Sequence, residues 1–227
     1  MKIPVSGDCG QRPVQIAGSR VRRWRRGALA ALLLIPASMP AWGQESVPTR
    51  HFTLANPAEL TDADAEKIYK RISNELVRGY QLSDHPAARS YQRWRRFNRA
   101  PYRSGPHGER FVNHYANGVG HDAYGALKEG ETMPVGAVIA KDSFAVTRAG
   151  EVYSGPLFLM EKMPEGFNSA GHDWRYTMIM PDGSIFGVTK GPDSQKVEFC
   201  QKCHQTAGEG NDHLFFVPER YRIPPAE

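Results

Sequence analysis

The chain has 227 residues, and its 29 Lys+Arg against 24 Asp+Glu give a formal net charge of +5. Seven of the basic residues and one acidic residue fall in residues 1–43, so the other 184 residues carry 22 basic and 23 acidic groups. That near-neutral body argues against a nucleic-acid partner, and its only cysteines, Cys200 and Cys203, exclude a scaffold stapled by several disulfides.

The first 43 residues read as a secretory signal peptide. Arg20 to Arg26 is a basic run, Gly27 to Pro36 a short apolar core, and Ala41-Trp42-Gly43 places small residues before a cleavage at Gln44. The apolar core is too short to span a bilayer, so no stable membrane anchor is expected. An uncleaved anchor or twin-arginine export are the alternatives. The expected location is periplasmic, with residues 44–105 an N-terminal helical segment and 106–227 the main domain.

Gln44 to Pro57 is polar. Thr61-Asp62-Ala63-Asp64 then has the form of a capped helix start. Ala65, Ile68, Tyr69, Ile72, Leu76 and Tyr80 recur at helical spacing, and Gly79 lies at the expected end. A second helix is expected from Pro86 to about Asn98. Its basic run of Arg93, Arg95, Arg96 and Arg99 is either a solvated face or a surface for an anionic partner. Pro101 to Gly108 reads as a loop. Strands are expected at Phe111–Asn117, Val135–Val146, Val152–Met160 and Arg175–Met180, with a short helix at Asp122–Gly130. Pro181-Asp182-Gly183-Ser184 is a hairpin turn into Ile185–Thr189. After Gly191-Pro192-Asp193 a last helix begins near Ser194.

That helix carries Cys200-Gln201-Lys202-Cys203-His204. Cys-x-x-Cys-His is the attachment pattern of a c-type haem: two thiols on one helical turn form thioethers, and the adjacent histidine becomes the axial iron ligand. A thioredoxin-like redox pair would need a βαβ setting, and a zinc site would need a second pair of ligands beside His204 and His213. The pattern gives an α+β fold: an antiparallel β-sheet haem domain with N-terminal helices and a C-terminal haem-attachment helix, holding one covalent haem c. Only 23 residues follow His204, none of them Met; Met133, Met160, Met163, Met178 and Met180 all lie upstream. An open axial position is therefore expected, which is where small molecules bind. The alternative is a six-coordinate electron carrier with an upstream Met or His as sixth ligand.

Tyr91-x-x-Trp94, the stretch Tyr124 to Lys141, Trp174, and the haem motif followed by Asn211-Asp212 and Phe215 resemble the cytochrome P460 family and its relatives, the cytochromes c′-beta. The resemblance spans about residues 91–222. It implies that Lys141, at the end of Gly136-Ala137-Val138-Ile139-Ala140-Lys141, is bonded to the porphyrin edge. Read from residues alone, Lys141 continues an apolar face with Val135, Ala137 and Ile139, and is either a sheet-edge lysine or a functional one. The resemblance further implies a distal glutamate acting as base, for which Glu161 is the candidate. Its bland alternative is a strand-end carboxylate paired with Lys162 or Lys190. Phe144 and Phe158 are candidate pocket walls. The implied activity is that of a haem oxidoreductase oxidising hydroxylamine, with a redox partner protein and a possible homodimer. The rival is a non-enzymatic nitric oxide binder of cytochrome c′-beta type.

Overall fold

The computed structural model describes residues 53–126 and 130–223; the expected signal peptide and its cleavage site lie outside them. Helix α1 (Asp62–Tyr80) starts as its sequence predicts: the Thr61 side chain accepts a hydrogen bond from Asp64 N, with Asp62 and Asp64 in the first turn. Ala65, Tyr69, Leu76 and Tyr80 form its buried stripe. Gly79 is there for contact rather than termination. A Cβ at this position would collide with the Pro181 carbonyl oxygen, so only glycine lets α1 approach the hairpin turn.

Among the described residues, eight antiparallel strands form one sheet: β1 (Arg95–Arg96), β2 (Tyr102–Ser104), β3 (Arg110–Ala116), β4 (Val138–Val146), β5 (Val152–Ser154), β6 (Leu157–Lys162), β7 (Trp174–Ile179) and β8 (Ile185–Val188). Their order is β1-β3-β4-β6-β7-β8, with β2 also on β3 and β5 also on β4. Two short helices complete the fold, α2 (His121–Ala126) and α3 (Glu198–Gln205), the latter entered through a 3-10 turn at Ser194–Val197. This is the α+β architecture expected, with the Cys-x-x-Cys-His turn on the C-terminal helix. No described helix is long and apolar enough to cross a membrane.

Three elements differ from expectation. The stretch Pro101–Gly108, expected as a loop, holds β2 and a 3-10 turn at Gly105–His107, because residues 102–104 pair with β3. Residues 86–98 form no second helix but two 3-10 turns, Pro86–Arg89 and Tyr91–Arg93, followed by β1. Tertiary hydrogen bonds override the helical pattern: Asn98 Oδ1 accepts from His114 N at 2.7 Å, and Phe97 N donates to the His114 carbonyl. The arginines there are used within the molecule. Arg96 makes a two-pronged pair with Glu66, Arg99 lies 3.9 Å from Asp62, and Arg95 sits over the Phe97 ring. The expected strand Val152–Met160 is split at Gly155-Pro156, because proline cannot donate to the ladder and Gly155 presses on Ser143.

The sheet is buried on both faces. One face packs on α1 through Tyr69, Leu76, Tyr80, Tyr91, Phe111, Tyr115, Phe144, Leu157 and Leu159. At its centre is Asp142, fully buried. It accepts from the Tyr69 hydroxyl at 2.7 Å, the Tyr91 hydroxyl at 3.2 Å and Asn113 Nδ2 at 2.9 Å. Burial raises this carboxyl above its usual range, and those three hydrogen bonds work against the rise. Asp142→Ala would remove the acceptor these three donors share in the core, leaving Tyr69 with only the Tyr115 hydroxyl, 2.6 Å away. It should destabilise the fold by about 3 kcal/mol, read as a lower denaturant midpoint at unchanged slope.

Candidate functional site

On the other face of the sheet lies a cavity of about 390 Å3. Strand alternation makes its floor: Ile139 and Lys141 of β4, Phe158 and Met160 of β6, and Tyr176 of β7 point the same way. Its two side walls come from opposite flanks of the sheet. Helix α3 packs on β7 and brings Cys200, Cys203 and His204 to the cavity. The segment Tyr102–His107, which includes β2 and pairs on the β3 side, supplies the facing wall. Phe215, Phe216, Pro218 and Tyr221 line it from the C-terminal segment.

His204 is held for coordination. Its Nδ1–H donates to the His213 carbonyl at 2.9 Å, which leaves Nε2 with its lone pair. Burial, with Lys141 adding to it, pushes the imidazole down to about 3, so the ring is neutral as a metal ligand must be. The His213 carbonyl is aimed by an unusual backbone, since Asp212 and His213 are both left-handed, at φ 49° and 58°. Such a pair costs about 1–2 kcal/mol per residue. Side-chain bonds around Asp212 hold it: Lys162 Nζ at 2.6 Å, Met133 N at 2.9 Å and His172 Nδ1 at 3.3 Å on the carboxylate, and Trp174 Nε1 at 2.8 Å on the carbonyl.

Lys141 is 4% exposed, with its side chain on the cavity. Among the described residues its amine makes no hydrogen bond or salt bridge. Burial pushes it from 10.5 to about 8, and the nearby Cys203 and Cys200 oppose that fall. Cys200 and Cys203 are free thiols. The buried Tyr176 hydroxyl, also on the floor, has no hydrogen-bond partner among the described residues. A neutral imidazole and two free thiols one helical turn apart, beside one mainly apolar cavity, are the donor set that a covalently attached haem would use.

Two expected site residues are elsewhere. Glu161 alternates to the far face and is not among the cavity-lining residues. It makes a two-pronged ion pair with Arg175 at 2.8 Å and lies 3.3 Å from His85 Nε2, partners that replace the expected Lys162 or Lys190. Burial alone would raise its carboxyl, but His85 and Arg175 outweigh that and hold it at about 2, far too low for a base at neutral pH. Phe144 also faces away, stacking on Phe111 and Tyr69. Phe158 does line the cavity. Sequence reasoning missed the Lys162–Asp212 cradle and the Tyr102–His107 wall. The Asn211-Asp212 pair after the haem motif was the available signal for the first; a Pro/Gly-rich stretch carried none for the second.

A family model described as cytochrome P460 matches residues 88–216, more than half of the chain. Helix α1 lies outside the matched residues. No curated protein matches the sequence.

The Glu161 ion pairs predict a stability effect without a cavity effect. A carboxyl lowered from 4.5 to about 2 contributes fully above pH 4.5 and loses its contribution as pH falls towards 2. Glu161→Gln should therefore cost about 2–3 kcal/mol at neutral pH. The gap to wild type should close on acidification, and the visible spectrum should stay unchanged.

Proposed function

The chain belongs to the cytochrome P460 family, whose cofactor is haem, and from that premise we propose an exported mono-haem c-type cytochrome that oxidises hydroxylamine at a lysine-linked haem. Cys200 and Cys203 would carry the two thioethers, with His204 as the axial ligand. The single observation that carries this reading is the Lys141 amine: buried, without a partner, and on the same cavity as those three residues.

A buried cation without a counter-ion is costly, and the cost is relieved when the amine is neutral. As thioethers Cys200 and Cys203 could not ionise at any pH, so only burial would act on the Lys141 amine. The neutral amine is the nucleophilic form. One N–H of the amine and one C–H of the porphyrin edge would break as the N–C bond forms, and a peroxide-class oxidant would take up the two protons and two electrons released and be reduced to two waters. When bound, the haem supplies an iron that takes the nitrogen of a small molecule and accepts its electrons. The protein's part is positional: His204 would hold the iron from one wall, while Phe158, Ile139 and Met160 keep the floor apolar. The electrons would pass to a redox partner protein, in the periplasm if the leader acts as its sequence suggests.

One observation favours a second reading. With Glu161 on the far face, the cavity lining contains no carboxylate among the described residues, and a mainly apolar site suits a nitric oxide binder of cytochrome c′-beta type. Lys141→Arg separates the two, because arginine keeps the charge and cannot form the same bond. Under the first reading the wild-type ferrous absorption lies well away from that of an ordinary c-type haem. The variant should then revert to ordinary c-type, keep nitric oxide binding, and lose hydroxylamine oxidation to background. An ordinary wild-type spectrum, the same in the variant, would leave the gas binder as the better account.

A further inference from the structure

Oxidation of hydroxylamine releases protons together with electrons, so the proposed reaction needs an acceptor on the side of the cavity opposite His204. Glu161 does not reach it. The facing wall is Tyr102–His107, and its ionisable side chains are Tyr102, Arg103 and His107. The Tyr102 hydroxyl is engaged by His114 Nε2 at 2.7 Å. Arg103 is drawn outward by Glu59 and by Glu109, the latter at 3.2 Å. His107 is the imidazole on this wall.

Several contacts fix its place. Ser104 Oγ lies 2.8 Å from His107 Nδ1, and the His107 carbonyl accepts from Arg110 Nη1 at 3.2 Å. The 3-10 turn Gly105–His107 closes on Gly108 in the left-handed conformation, which glycine adopts without strain. The ring meets Phe158 edge-on, with centroids 4.9 Å apart. Phe158 is the cross-strand partner of Lys141. His107 therefore stands over the same row of the floor as Lys141, across the cavity from α3.

We infer that His107 is the proton-handling residue of the cavity: its imidazole hydrogen-bonds a small nitrogenous ligand held opposite His204 and takes up the proton released when that ligand is oxidised. The inference rests on the reading that a haem with an open axial position occupies this cavity. For each proton transferred, an N–H or O–H bond of the ligand breaks and an imidazole nitrogen gains the hydrogen. The electrons go through the haem to the redox partner. Imidazole suits the task because it gains and loses protons near neutral pH.

The test uses the ferrous holoprotein with carbon monoxide, whose C–O stretch responds to a hydrogen bond whether or not the protein turns over hydroxylamine. His107→Ala should raise the stretching frequency, abolish its dependence on pH, and speed carbon monoxide dissociation by about tenfold. His107→Gln, which can still donate, should recover part of both effects but not the pH dependence. Hydroxylamine turnover should fall by about 100-fold in both variants. A C–O stretch and dissociation rate unchanged in His107→Ala would overturn the inference. So would a low-spin wild-type spectrum that becomes high-spin in the variant, since His107 would then be an iron ligand. A wild type that fails to oxidise hydroxylamine but shows the predicted carbonyl shifts would count against the proposed reaction while supporting the hydrogen bond.

Discussion

Strand β4 places two ionisable residues side by side, and the pleat of the strand forbids them to pair. Asp142 projects to the α1 face and Lys141 to the cavity face. Both are almost fully buried. Each must then find partners on its own face or carry an unrelieved charge. Asp142 finds its own in Tyr69, Tyr91 and Asn113. Lys141 finds none among the described residues, and this asymmetry is what marks the cavity as the functional side of the sheet.

The α1 face explains why the chain has a helix outside the family match. Tyr69 and Tyr80 come from α1, and the Tyr80 hydroxyl donates to the Gly155 carbonyl at 2.6 Å, at the break between β5 and β6. The helix thus covers the buried carboxylate on one side of β4 and leaves the cavity side to α3 and the C-terminal segment. The left-handed pair Asp212-His213 is anchored by Lys162 and Trp174 of the sheet, so the carbonyl that orients His204 is tied to the strands that form the floor. His204 and the floor are held as one unit, as the direction of a metal ligand would require.

Much of this was legible in the sequence because it follows local rules. Thr61 with Asp62 and Asp64 announces α1, the Pro181–Ser184 turn announces the β7–β8 hairpin, and the Cys200–His204 spacing announces the haem. Lys141 stood out as a lysine in an apolar alternation. What was not legible depends on long-range contacts. The residues from Pro86 to Asn98 have helical spacing, yet Asn98 and Phe97 are captured by β3. Glu161 was placed from a resemblance, whereas its side is set by alternation along β6 and by Arg175 across from it on β7. His107 sits in a stretch whose Pro and Gly signal only a loop, and its importance arises from where the β2–β3 connection crosses the floor.

The central claim is that one haem is held from two elements, the α3 turn and strand β4. Proteolysis of the denatured holoprotein followed by mass spectrometry tests it directly. The account predicts a single species in which the peptide containing Cys200 and Cys203 and the peptide containing Lys141 are joined through one haem. Recovery of the Cys200–Cys203 peptide with haem but the Lys141 peptide unmodified would contradict the linkage to β4. Release of free haem would contradict covalent attachment altogether.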